Sequence, residues 1–78
     1  MDQAADALLR QCNQAIGSGL DFPTIWHTVL AGHVAGPPIQ TIEDGQLALS
    51  INLITGEQLV FHSDHNTFRA SGRWRTWR

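Results

Sequence analysis

The 78-residue chain has no lysine, a single cysteine and no apolar run approaching the length of a membrane span. With Cys12 alone, no intrachain disulfide can form. A spanning helix needs roughly 18 consecutive apolar residues, and none occurs. The N-terminal stretch also lacks the basic start and continuous apolar run of a signal peptide. These absences lead to the expectation of a soluble, cytoplasmic protein. The basic residues are all arginine, which suits a GC-rich bacterial coding bias.

Catalytic signatures are missing too. No serine sits in a nucleophile elbow, no two carboxylates have a compelling reason to share a site, and no cofactor fingerprint is present. His62 flanked by Asp64 could be an oriented base, but nothing supplies a nucleophile or oxyanion donors. The expectation is a protein without enzymatic activity and without a cofactor. Repeats and low-complexity tracts are absent as well.

What the chain does have is alternation. Leu47, Leu49, Ile51 and Leu53 fall on one side of an extended run, with Ala48, Ser50 and Asn52 on the other, the period of a half-buried strand. Leu59 and Phe61 repeat the pattern after Ile54-Thr55-Gly56. A two-residue loop would set the apolar row of one strand beside the polar row of the other. A three-residue loop, with Gly56 left-handed after a type I turn, pairs Ile51 with Leu59 and Leu49 with Phe61, and is the register expected. Six apolar side chains buried along these strands supply roughly 1.5 to 3 kcal/mol each before chain entropy is counted. Two strands alone are marginal in water, so something must cover that face.

The coverage comes from the first half of the chain. Residues 2–16 carry Ala5, Leu8, Leu9, Cys12, Ala15 and Ile16 at helical spacing, with Gln3, Asp6, Arg10, Asn13 and Gln14 opposite, and Gly17 placed as a left-handed cap. Cys12 on that stripe reads as a small buried hydrophobe rather than a nucleophile. Asp21 then offers an N-cap, with Pro23 in the first turn, for a second helix bearing Phe22, Ile25, Trp26, Val29 and Leu30 and ending near Gly32. Its β-branched residues Thr24, Ile25, Thr28 and Val29 are weak helix formers.

Gly36-Pro37-Pro38 divides this helical half from the strands. Ile39 to Glu43 can form a strand joined to Leu47 through Asp44-Gly45. A two-residue turn there puts Ile42 beside Leu47 on the core face; a three-residue loop puts Ile39 and Thr41 there instead. After a turn centred on His65-Asn66, Thr67 to Ser71 runs back with Phe61 facing Ala70 and Arg69 beside His62, and Gly72 ends the strand. The expected fold is α+β: an N-terminal helical hairpin packed on one face of a three- to four-stranded antiparallel meander, ααβββ(β), spanning residues 1–72. The opposite face, with Ala48, Ser50, Asn52, Gln58, Val60, His62 and Arg69, is left open.

Every acidic residue lies before position 65, while Arg69, Arg73, Arg75 and Arg78 crowd the end. The segment 73–78 interleaves the last three with Trp74 and Trp77, a combination that serves protein interfaces or phosphate contact with base stacking, and that can also be structural, with the two tryptophans folded over an open sheet edge or core end and the arginines in solvent. A chain this small often needs a partner subunit to offset the entropy of folding. The reading that follows is a protein-protein interaction module, homodimeric, using an exposed sheet edge or face together with Arg69, Arg73, Trp74, Arg75, Trp77 and Arg78. A nucleic-acid-binding accessory protein using the same tail is the alternative. A metal site at His62, Asp64 and His65 is weaker, because residues three apart on a strand point to opposite faces.

Overall fold

The computed structural model describes residues 3–74. The apolar residues at intervals of three and four fold as helix α1 (Gln3–Gly17), with Ala5, Leu8, Cys12 and Ala15 buried along one stripe. The helix does not take its left-handed cap at Gly17. Gly17 stays helical and Gly19, at φ 93°, supplies the reversal. The amide of Gly19 donates to Ile16 O and that of Leu20 to Ala15 O, both at 3.0 Å, the paired bonds of a Schellman end.

Helix α2 (Phe22–Thr28) starts as its sequence demands. The Asp21 side chain accepts from the Thr24 amide at 3.1 Å, with Pro23 in the first turn. It stops after seven residues, short of Gly32. Weak helix formers crowd its end, and the Thr28 hydroxyl donates to the Thr24 carbonyl at 2.7 Å, an alternative to continuing the ladder. Hydrogen bonds from Thr24, side chain before backbone, hold the Asp21 carboxyl below its usual value. A depressed carboxyl contributes stability above its unfolded pKa, and that contribution is lost as pH falls through the folded value. Asp21→Asn keeps a competent cap but not the charge. The stability difference between the two proteins therefore shrinks as pH is lowered from neutral to below about 4, which denaturant titrations at several pH values would measure; a constant difference would contradict it.

The strands form one antiparallel sheet in the order β1 (Ile39–Glu43), β2 (Gln46–Asn52), β3 (Glu57–His62) and β4 (Thr67–Arg73). Four strands are present, completing the α+β meander. Between β2 and β3 the three-residue loop holds: Ile51 pairs with Leu59 and Leu49 with Phe61, and the Gly56 amide donates to Leu53 O at 3.0 Å. Between β1 and β2 the turn has two residues, Asp44 and Gly45, both at positive φ, and Ile42 pairs with Leu47.

The last hairpin departs from expectation by two residues. Phe61 pairs with Phe68, not Ala70, across a four-residue turn in which Asn66 adopts positive φ. Arg69 consequently pairs with Val60 and reaches His62 only diagonally. Nor does Gly72 end the strand. The ladder shifts between Leu59–Ala70 and Glu57–Arg73, and Gly72 (φ 86°) absorbs the extra residue, so β4 runs on to Arg73.

The core lies between the helices and one face of the sheet: Ile51, Leu53, Leu59, Phe61 and Phe68 join the α1 stripe, Ile25 and Leu30. The Phe22 ring sits 5.0 Å from Phe61 and 5.9 Å from Phe68, so α2 enters the same cluster at its first residue. Asn13 is not on a solvent face. Its Oδ1 accepts from the Phe68 amide at 2.9 Å and its Nδ2 donates to the Phe68 carbonyl at 3.0 Å, so α1 lies along β4 and closes that edge of the sheet.

Candidate functional site

Among the described residues, those expected to bind a partner are engaged within the fold. Arg69 donates through Nε to His62 Nε2 at 2.9 Å, and its guanidinium also bonds the Glu43 carboxylate. Arg69 and Glu43 stand on the outermost strands, so their contact bridges the width of the sheet. Arg73 donates to Glu57 Oε2 at 3.3 Å, while the Thr55 hydroxyl holds the other oxygen of that buried carboxylate at 2.8 Å. Trp74 donates its indole N–H to Leu53 O at 2.7 Å and its amide to Gly56 O at 3.0 Å. Arg75, Trp77 and Arg78 lie outside the described residues.

The reverse face of the sheet is not open at its centre. Ala48, Val60 and His62 are buried there, and the Arg69–Glu43 bridge accompanies them. A concavity of about 390 Å³ remains at one end, lined by Glu43, Asp44, Gln46, His62, His65, Thr67 and Arg69. The His62 and His65 ring centroids are 6.4 Å apart. Among the described residues no group of three or more His, Cys, Asp or Glu side chains is arranged to hold a metal ion. Cys12 is fully buried, and burial pushes its thiol up to about 11, the opposite of an activated nucleophile.

The open surface is elsewhere, along β1. Paired residues in an antiparallel ladder alternate between exchanging backbone hydrogen bonds and not. The Glu43–Gln46 pair closes the two-residue turn, so Thr41 and Ile39 also bond inward to β2. Gln40 and Ile42 therefore point their N–H and C=O groups away from the sheet. Beside this edge, on the helix-side face, Ile42 is 64% and Leu47 49% exposed, and Ile39 on the reverse face is 52% exposed. Of the usual guards of an edge, lysine is missing and the strand itself has no bulge; Glu43 is turned across the reverse face to Arg69, and Pro38 stands only at the strand's beginning.

Geometry explains why Ile42 and Leu47 pair on the core side yet stay wet. A helix is about 10–12 Å wide and strands lie about 4.8 Å apart, so a single helix covers roughly two strands. Helix α1 sits on β4, and the seven-residue α2 is too short to roof the rest. The signal in the sequence was the apolar pair flanking Asp44-Gly45, read together with helices too few for four strands.

No helix among the described residues is long and apolar enough to cross a membrane. Comparison of the chain with protein-family models, with curated proteins and with solved structures returns no match.

Proposed function

We propose that this chain is a small non-enzymatic protein-protein interaction module that self-associates as a homodimer through the β1 edge and the adjoining Ile42–Leu47 strip. The C-terminal Trp/Arg segment contributes further contacts beyond Trp74. The observation that carries this reading is an outermost strand whose Gln40 and Ile42 backbone groups face outward, beside two large apolar side chains that are about half or more exposed. A lone, buried cysteine suits work in the reducing cytoplasm. The nucleic-acid reading, which uses Arg73, Trp74, Arg75, Trp77 and Arg78, draws less support, because Arg73 is paired with Glu57 and the Trp74 indole is bonded to Leu53 O.

Light scattering tests it. The wild-type chain at high micromolar concentration is expected at the mass of two chains, and Ile42→Asp with Leu47→Asp at the mass of one. Both positions are exposed, so the variant should keep its fold, but its denaturant midpoint should fall, because it loses the stability that association supplies and sets two carboxylates on one cross-strand pair. A wild-type monomer counts against the reading, as does a variant that remains dimeric. Deleting residues 75–78 should weaken association without abolishing it; salt-sensitive oligonucleotide binding that vanishes with the deletion would favour the alternative instead.

A further inference from the structure

Resting on the self-association proposed above, we infer that the partner is a second copy joined β1 to β1, antiparallel, about a two-fold axis through Thr41. Two four-stranded sheets become one of eight. The outward-facing backbone groups select this arrangement. Gln40 and Ile42 each present one donor and one acceptor, spaced two residues apart. With Gln40 facing Ile42 of the second copy, all of these groups pair and the five residues of β1 overlap in full. An axis through Gln40 would set Ile42 opposite Pro38, which has no N–H; an axis through Ile42 would set Gln40 opposite Asp44 in the turn.

Charge agrees with the antiparallel direction. The only ionisable residue on β1 is Glu43, and in this register it faces Ile39 of the second copy rather than another Glu43. A parallel, in-register pairing would instead set Glu43 beside its own copy, like charge against like. The two-fold is perpendicular to the joint sheet, so both Ile42–Leu47 pairs fall on one face, on either side of the axis. Each Ile42 then stands across from Gln40 of the second copy, with the two Ile42 side chains diagonal to one another.

Cysteine crosslinking of the full chain is the test. Thr41 bonds inward, so Thr41 and its copy would form a non-hydrogen-bonded pair with Cα atoms about 4.5 Å apart, within the range a disulfide accepts. Single variants Thr41→Cys, Gln40→Cys, Ile42→Cys and Leu47→Cys are oxidised and run on a non-reducing gel, with wild type as the blank because Cys12 is buried. Thr41→Cys should lose its monomer band first and almost completely. Faster loss for Gln40→Cys or Ile42→Cys overturns the register, and faster loss for Leu47→Cys points to two sheets stacked face to face. Dimer mass without a crosslink at position 41 overturns this pairing and leaves self-association standing; monomer mass overturns both.

Discussion

Phe61→Ala is expected to cost about 3–5 kcal/mol of folding stability, the range for emptying an aromatic site in a packed core. Phe61 lies at the junction of every part of the fold. Its ring is 4.8 Å from Phe68 on β4 and 5.0 Å from Phe22 at the start of α2, and it pairs with Leu49 on β2. Removing it opens a hole that three elements would have to collapse into together. In a domain this size each kcal/mol moves Tm by roughly 4–8 °C, so thermal and denaturant unfolding should both shift by an easily measured amount. A loss under about 1 kcal/mol would mean that Phe22 and Phe68 close over the gap, and that the core is less tightly built than the ring distances imply.

Asn13→Ala carries the second large effect. Asn13 serves both backbone groups of Phe68 on the outward edge of β4, with the Thr67 hydroxyl adding a 3.4 Å contact to the same oxygen. Alanine leaves a partly buried N–H and C=O without their partner, at roughly 1–3 kcal/mol for each group left unsatisfied. Some water access places the expected total near 2 kcal/mol, and hydrogen exchange at the Phe68 amide should accelerate. Asn13→Asp discriminates further, since it retains the acceptor for the amide but sets a carboxylate against the Phe68 carbonyl. It too should be destabilised, even though its shape is nearly unchanged. Wild-type stability in both variants would show that the amide's two hydrogen bonds are replaced by water at no cost.

Much of this architecture was legible along the chain. Burial enforces a period of two on β2, and that period together with Gly56 was enough to select the Leu49–Phe61 register. What alternation cannot see is a slip of two, because side chains return to the same face. That is why Phe61 could be expected opposite Ala70 when Phe68 stands there: both pairings keep the core intact, and only the turn geometry at Ser63 to Asn66 decides between them. Asn13 escaped for a different reason. A polar residue on a helix reads as solvated, whereas its amide can imitate a strand's own backbone and bind an edge. Gly17 suits a cap in the sequence, but the hydrogen bonds to Ala15 and Ile16 place the reversal two residues on, at Gly19.

The site was less legible than the fold. The arginines near the end of the chain look free in one dimension, but the meander brings Glu43 and Glu57 to Arg69 and Arg73 from strands far away in sequence. Conversely, Leu47 reads as core, and Ile42 does so in the two-residue-turn register that the structure adopts, yet both are surface because the helical layer is narrower than the sheet beneath it. Neither outcome can be computed from local periodicity. Both depend on how many strands stand side by side and which of them the helices reach.

The clasp of Asn13 on Phe68 joins residues 55 positions apart, on the first helix and the last strand among the described residues. During synthesis α1 therefore has α2 alone to lie against, and its oily stripe is fully covered only when the strands that complete the core, β4 among them, are free to pair. The nascent chain should pass through that interval with apolar surface exposed, most vulnerable to aggregation before the sheet closes.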